Sequence, residues 1–349
     1  MKPWNRSLTV LSLSVMLVAT GCGSTTGTQG NAAPNSGSST ATEASANTPA
    51  TKALKIKTSF YPMYEFTRHV AGDLAKVENL VPAGMEPHDW EPTPKDMASI
   101  SEADVIVYNG AGMEGWVSQV LDSVTGKGLR AIEASQGIEI MEGSEEHEHD
   151  HVEENQHAHE EGEEHGHEES GHDHGGLDPH VWLSLRLAIQ EVRNIEKGLS
   201  QAAPQYADEF KSNADAYVAE LETLDKEYAE ELKNSKRKDF ITQHAAFGYL
   251  AKQYGLTQVP IAGLSPEQEP TAAQMAEIVK FAKEHNVKTI FFETLVSSKV
   301  ADTIAKEVGA KSAVLNPIEG LTQEEIDVGH NFVTVMRQNL EALKVALNE

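Results

Sequence analysis

The chain has 349 residues, of which 39% are hydrophobic, and it carries a formal net charge of −26. Its length suits two ordinary domains with sizeable cores. Half of the negative charge belongs to one segment, Gly143–Gly176. Because neither this segment nor the rest of the chain has an excess of basic residues, we expect no nucleic-acid partner.

The first 21 residues have the pattern of an export signal. Lys2 and Arg6 precede Leu8–Ala19, an apolar run too short to span a bilayer as a mature helix. Cys22 then follows; it is the only cysteine, so no intramolecular disulfide can form. Its setting resembles a bacterial lipobox, although Ala19 stands where a larger aliphatic residue is more usual. We therefore expect Cys22 to carry a lipid anchor, with an ordinary cleaved signal as the alternative.

Residues 22–53 are rich in Ser, Thr, Gly, Ala and Asn, which is typical of a flexible tether. From Leu54 onward, short β-rich runs alternate with helical patterns. This alternation predicts an α/β fold of two lobes, each with a mainly parallel sheet flanked by helices. We assign residues 54–203 to the N-terminal lobe and residues 236–349 to the C-terminal lobe.

Eight strands and two well-capped helices are predicted within these lobes. The helix Pro94–Glu102 follows a Thr-Pro start with an acid in its first turn, and Thr271–His285 begins with a Thr-x-x-Gln capping box. The predicted strands are Lys55–Phe60, Val77–Val81, Asp104–Asn109, Leu129–Ile132, Asp239–Thr242, Gln258–Ile261, Thr289–Glu293 and Ser312–Leu315.

The segment 143–176 contains nine histidines, thirteen acids and no lysine or arginine. Within it, His147-Glu148-His149-Asp150-His151 matches the zinc-protease pattern H-E-x-x-H. A protease helix needs an apolar face, however, and here nearly every neighbour is charged, histidine or glycine. We predict a disordered, low-complexity insertion that binds metal weakly, or is simply solvated. Its candidate ligands are His147, His149, His151, His157, His159, His165, His167, His172 and His174.

A long helical pattern runs from Pro204 to about Asn234, within the segment 204–235 that we expect to link the lobes. Its apolar residues recur every three or four positions and form one stripe opposite a charged face. A helix of this length would extend about 45 Å, enough to cross from one lobe to the other. A coiled-coil dimer helix is the alternative, although we expect a monomer. The stripe consists of Tyr206, Phe210, Ala214, Tyr217, Leu221, Leu224, Tyr228 and Leu232.

Three of the six histidines outside the insertion lie in loops of a special kind. His88 follows a predicted strand in a loop with several prolines, His180 directly precedes a helix, and His244 follows the strand Asp239–Thr242. Ligand sites in open α/β sheets form beyond the carboxyl ends of the strands. Imidazole groups suit zinc, copper, nickel or iron, so these histidines predict a transition-metal site between the lobes.

Three histidines are one ligand short of a tetrahedral shell. Glu319, after the predicted strand Ser312–Leu315, is the candidate fourth ligand, and water is its competitor. Glu293 ends another strand, and we expect it to orient a histidine or cap the next helix. His69, His285 and His330 are expected to be structural or surface residues.

The order of these motifs resembles one known family. The segments "SFYPMYEFTRHVAG", "PAGMEPHDWEPTP", "LDPHVWLS", "HAAFGYLAKQYGL", "FFETLVSSKVAD" and "LNPIEGL" resemble the metal-specific solute-binding lipoproteins of zinc and manganese ABC importers, of the ZnuA/AdcA type. The resemblance implies that His88, His180 and His244 are metal ligands, with Glu319 at a fourth position left to solvent in some members. It also implies Zn²⁺ as the transported ligand, because manganese-type members place a carboxylate where His244 stands.

By this resemblance, the protein is an extracytoplasmic receptor that delivers Zn²⁺ to a membrane permease, with ATP hydrolysis on a separate subunit. The chain lacks a nucleotide-binding P-loop motif of its own. We expect it on the outer face of the membrane of a one-membrane bacterium. A receptor for manganese or another divalent metal, a secreted zinc hydrolase with water as the fourth ligand, and an adhesin are the alternatives.

Overall fold

The computed structural model describes residues 53–124, 126, 128–143 and 176–349. The predicted signal, Cys22, the tether before residue 53 and all nine histidines of the insertion lie outside these ranges. Contacts group the described residues into one compact unit. None of the helices in the described ranges combines the length and apolar character that a bilayer crossing requires.

The first lobe contains a four-stranded sheet in which every neighbouring pair is parallel, in the order β2-β1-β3-β4. Its strands are β1 (Leu54–Thr58), β2 (Ala75–Asn79), β3 (Val105–Tyr108) and β4 (Arg130–Glu133). Its helices are α1 (Tyr61–Ala71), α2 (Pro94–Ser101), α3 (Val117–Val124) and α4 (Leu185–Ala202).

The second lobe repeats the same topology, with a parallel sheet in the order β6-β5-β7-β8. Its strands are β5 (Asp239–Thr242), β6 (Thr257–Pro260), β7 (Thr289–Phe292) and β8 (Lys311–Val314). Its helices are α6 (Gly248–Tyr254), α7 (Ala272–Glu284), α8 (Lys299–Val308), α9 (Gln323–Asp327) and α10 (Phe332–Ala346). The predicted fold class is confirmed, and each strand begins and ends within two residues of its predicted bounds.

The long helix α5 spans Ala207–Leu232, preceded by a 3-10 turn at Pro204–Tyr206. All of the predicted apolar stripe except Tyr206 is buried on this helix. The helix contacts α1 and α4 of the first lobe and α6 and α10 of the second. Because the stripe is buried within its own chain, it leaves no apolar face for a coiled-coil partner.

Local capping explains where several helices begin. Thr93 accepts a hydrogen bond from Asp96 N while the Asp96 side chain accepts from Thr93 N, so the predicted start of α2 is confirmed. Thr271 and Gln274 form the same reciprocal pair at α7, as the sequence predicts. These caps satisfy amide groups that would otherwise lack partners at the first turn.

Candidate metal centre

Four side chains from different parts of the chain meet in one buried cluster. They are His88, His180, His244 and Glu319, and each offers a ligand atom within 4.8 Å of the others. None is more than 5% exposed. The structure therefore brings together all four residues that the sequence analysis singled out as candidate ligands.

The ends of parallel strands place three of these residues, and a turn places the fourth. His88 lies in the loop after β2, and His244 lies two residues after β5. Glu319 follows β8, and His180 precedes a 3-10 turn at Val181–Leu183. Both sheets thus present their carboxyl ends to a common cleft, as open α/β sheets do at their ligand sites.

Five of the six distances among the four ligand atoms match the edge of a tetrahedral metal shell. Glu319 Oε1 lies 3.3 Å from His88 Nε2, 3.2 Å from His180 Nε2 and 3.3 Å from His244 Nε2. His180 Nε2 is also 3.3 Å from the Nε2 atoms of both His88 and His244. A regular tetrahedron with this edge places its centre about 2.0 Å from each corner, which is the bond length of zinc to imidazole nitrogen or carboxylate oxygen.

Two carboxylates outside the tetrahedron orient its histidines. Asp178 Oδ1 lies 2.8 Å from His180 Nδ1, and Glu293 Oε1 lies 2.5 Å from His244 Nδ1. A carboxylate at Nδ1 favours the tautomer that carries its proton there, which leaves Nε2 free for a metal. Glu293 thus orients a histidine, one of the two roles expected of it.

Asp178 was not among the predicted site residues, although the sequence contains a signal for it. The chain contains Glu86-Pro87-His88 and Asp178-Pro179-His180, an acid two residues before a histidine in each case. In both motifs the acid accepts a hydrogen bond from the histidine backbone N–H, at 3.0 Å. The repeated acid-Pro-His motif therefore marks two turns of similar construction, each of which ends at a candidate ligand.

Burial and neighbouring charges shift the pKa values of the four side chains in the cluster. Burial lowers the pKa of His88 to about 4. Burial also opposes the charged form of His244, but Glu293 and Glu319 raise its pKa well above the usual value. Burial likewise opposes the charged form of His180, but its hydrogen bonds to the carboxylates of Asp178 and Glu319 raise its pKa. The surrounding imidazoles hold the pKa of Glu319 well below its usual value despite burial. The metal-free cluster thus combines an anionic carboxylate with at least one protonated imidazole.

The other three histidines lie apart from this cluster. His69 stacks on Tyr217 with ring centroids 3.9 Å apart, and His285 stacks on Phe281 at 4.0 Å. His330 Nε2 lies 3.2 Å from the Gln338 side chain. These contacts agree with the structural or surface roles expected of them.

A cavity of about 830 Å³ adjoins the cluster on the side of Glu319. Its walls come from α1, the loop after β2 and α2 on one side, and from the loop around α9 on the other. Both lobes contribute to its walls, and Glu319 is the candidate ligand that lines it.

Comparisons with known proteins agree with this geometry. The sequence model of the ZnuA family, "Zinc-uptake complex component A periplasmic", matches residues 56–346. The high-affinity zinc uptake system protein ZnuA of Bacillus subtilis is 50% identical over 294 residues, covering 84% of this chain and 88% of the relative. The zinc-binding lipoprotein AdcA of Streptococcus pneumoniae is 47% identical over 293 residues; the match covers 83% of this chain but only 55% of that longer protein.

The crystal structure of the Zn(II)-bound ZnuA-like domain of Streptococcus pneumoniae AdcA has a TM-score of 0.69 to this chain at 42% identity. The match covers 85% of this chain and 99% of that domain. The two α/β lobes described above are therefore similar to those of a protein crystallised with zinc.

Proposed function

Because this chain belongs to the ZnuA family of zinc-uptake components, we propose that it is the extracytoplasmic receptor of a zinc importer. It captures one Zn²⁺ in the cleft between its lobes and delivers the ion to a membrane permease of the ABC class, whose ATPase is a separate subunit. The observation that carries this proposal is the tetrahedron of His88, His180, His244 and Glu319. Zn²⁺ is the cargo of this site.

The ligand set supports zinc over harder ions. Three imidazole nitrogens and one carboxylate oxygen suit zinc, copper or nickel, whereas Mn²⁺ and Mg²⁺ prefer octahedral shells of oxygen. The edge of the tetrahedron, 3.2–3.3 Å, fits a four-coordinate ion. We propose Glu319 rather than water as the fourth ligand because its oxygen already lies at the fourth corner.

A catalytic role is less well supported by the same geometry. Catalytic zinc sites keep one coordination position open for water or substrate. Here Glu319 occupies that position, and Glu293 points to His244 Nδ1 instead of toward an open corner. We therefore propose a binding protein, not an enzyme.

The remaining parts of the chain complete the proposal. Lipidation of Cys22 would anchor the protein at the outer face of the membrane, with residues 22–53 as a tether. The lobes at 54–203 and 236–349, linked by residues 204–235, would act as one monomeric receptor. The histidines of the insertion would collect zinc weakly and pass it to the cleft; a dispensable, solvated insertion is the alternative. The sequence supports the anchor, the tether and the insertion, and the contacts of α5 with helices of both lobes support the link.

Zinc uptake by cells tests this function directly. Cells that lack the gene for this chain should take up little radioactive zinc from zinc-depleted medium and should grow poorly there. The unmodified chain should restore uptake, whereas a His88→Ala, His180→Ala, His244→Ala triple variant, present at the same level, should not. Equal uptake with the triple variant would show that the cleft does not carry the function.

A further inference from the structure

The loop that presents Glu319 contains an unusual backbone conformation. It runs from the end of β8 to the start of α9, and Ile318, directly before Glu319, has φ 59°. This left-handed region is unfavourable for L-residues and most of all for β-branched ones. Ile318 is fully buried, so the surrounding structure must hold it there. Strain of this kind persists only where neighbouring contacts over-determine the conformation.

Two asparagines provide the strongest of these contacts. Asn316 Oδ1 accepts a hydrogen bond from Ile318 N at 2.7 Å, which closes a turn through the left-handed residue. Asn339, on α10, forms two hydrogen bonds with the backbone of Asn316. Its Oδ1 accepts from Asn316 N at 2.9 Å, and its Nδ2 donates to Asn316 O at 2.7 Å.

The same loop is tied to the segments that carry the histidines. Trp182, in the turn after His180, donates from Nε1 to Pro317 O at 2.8 Å. Asn316 Nδ2 donates to Thr294 Oγ1 at 3.1 Å, next to the carboxylate that orients His244. These bonds connect the loop to both lobes.

Asn339 is a costly residue for its position. It lies inside α10 and is 2% exposed, yet asparagine is a weak helix former and its buried amide must be hydrogen-bonded. A leucine there would suit the apolar side of the helix. Both the oxygen and the nitrogen of the Asn339 amide nevertheless form hydrogen bonds with the backbone of one residue, Asn316.

We propose that Asn339, acting through Asn316, is a positioning residue that keeps Glu319 at the fourth corner and thereby helps the site to select zinc over manganese. This inference rests on the proposed function. A carboxylate on a stiff loop stays monodentate and keeps the site four-coordinate. A carboxylate on a loose loop can rotate, admit water and accept the larger oxygen-rich shell that manganese prefers.

A double-mutant cycle separates positioning from simple stabilisation. Asn339→Leu is made in the full chain and in a Glu319→Gln chain, and zinc and manganese affinities are measured by competition with a chelator. In the full chain we expect zinc affinity to fall about 10- to 100-fold, as for other outer contacts of a metal site, with little change for manganese. In the Glu319→Gln chain we expect Asn339→Leu to weaken zinc no further.

Asn194→Leu is the matched control. Asn194 also uses its side-chain amide to hold two backbone carbonyls, those of Ala134 and Gln136, at 2.7 and 2.9 Å. Its loss should affect stability and leave zinc affinity unchanged. An equal loss of zinc affinity from Asn339→Leu in both backgrounds, or no loss in either, would overturn the proposal.

Ile318→Gly serves as a second variant if Asn339→Leu does not fold. Glycine adopts the left-handed region without strain and keeps every hydrogen bond of the loop, but it frees the backbone next to Glu319. We expect zinc to dissociate faster from Ile318→Gly, and only when Glu319 is present. Unchanged dissociation would overturn the proposal. If the unmodified chain itself binds no zinc, the proposed function fails and this inference fails with it.

Discussion

Glu319 Oε1 lies 3.3 Å from His88 Nε2, although 231 positions separate the two residues in the chain. One belongs to a loop of the first sheet and the other to a loop of the second. The fourth corner of the tetrahedron therefore exists only when both lobes are folded and face each other. Metal binding is thereby coupled to the arrangement of the lobes.

Each ligand histidine should be essential for tight zinc binding. We expect His88→Ala, His180→Ala and His244→Ala each to weaken zinc binding by more than about 100-fold, because even outer-shell contacts are worth about 10- to 100-fold. Competition with a chromophoric chelator measures this loss. His285→Ala is the control, since that side chain is 48% exposed and remote from the cluster. A single histidine variant with unchanged affinity would exclude that residue as a ligand.

Loss of either orienting carboxylate should weaken zinc binding measurably, but by less than loss of a ligand. We expect Asp178→Asn and Glu293→Gln each to weaken zinc binding by about 10- to 100-fold, because the imidazole loses its preferred tautomer and orientation. X-ray absorption should still show three nitrogen ligands of histidine in both variants. Asp225→Asn, in a hydrogen-bonded group with Gln253 and Tyr254, is the control and should bind zinc normally. Normal binding by both test variants would contradict the assigned roles.

Zinc should displace protons when it binds. The neighbouring carboxylates raise the pKa of His244 well above its usual value against the effect of burial, whereas burial lowers the pKa of His88 to about 4. At neutral pH His244 is therefore protonated and must lose a proton before Nε2 can bind zinc, while His88 is already neutral. Zinc affinity should consequently rise with pH until the raised pKa of His244 is passed.

Calorimetry in two buffers of different ionisation enthalpy measures this release. We expect the observed binding heats to differ between the buffers by an amount that corresponds to at least one proton at pH 7. Equal heats in the two buffers would show that no proton is released, and therefore that zinc binds imidazoles that are already neutral. The His244→Ala variant, with its weaker site, should release fewer protons.

A buried acid that is not among the candidate ligands should control the pH dependence of stability. Glu191 on α4 is fully buried, and neither of its carboxylate oxygens has a hydrogen-bond partner among the described residues. Burial, with a smaller contribution from Glu114, raises the pKa of Glu191 well above its ordinary value of 4.5. The unfolded chain ionises this acid first, so the folded state loses about 1.4 kcal/mol of stability per pH unit between the two pKa values.

Glu191→Gln removes that ionisation. We expect the stability advantage of the metal-free variant over the unmodified chain to be small near pH 5 and to grow as the pH rises toward 8. Urea denaturation at several pH values measures both proteins. Glu222→Gln, an exposed substitution on α5, should show no such trend. A difference in unfolding free energy between the two proteins that stays constant with pH would mean that Glu191 is ionised in the folded protein.

Much of the fold follows from local patterns in the sequence. The strand Asp239–Thr242 has the predicted bounds, and the apolar stripe of α5 is buried almost as predicted. The three histidines stood out because each lies at the end of a strand or the start of a helical segment. Position within a parallel α/β unit is a local property, so a sequence pattern can reveal it.

Other features of the site depend on long-range packing. Asn339 looks like an ordinary polar residue of an amphipathic helix until the fold places it beside Asn316, 23 residues earlier. The left-handed conformation of Ile318 could not be predicted, since isoleucine disfavours it and only the surrounding contacts impose it. The tetrahedral spacing of the ligand atoms likewise depends on the approach of the two lobes.

The tight zinc site should lie in the cleft and not in the histidine-rich insertion. Gly143 N donates to Gly176 O at 2.5 Å, so residues 144–175 can be replaced by a short glycine turn without moving either end. Zinc and manganese are then titrated against a chelator into this metal-stripped chain and into its His88, His180, His244 triple alanine variant. We predict one tight zinc equivalent that the triple variant loses and that manganese replaces poorly. A shortened chain with no tight zinc site would show that the cleft residues do not form it.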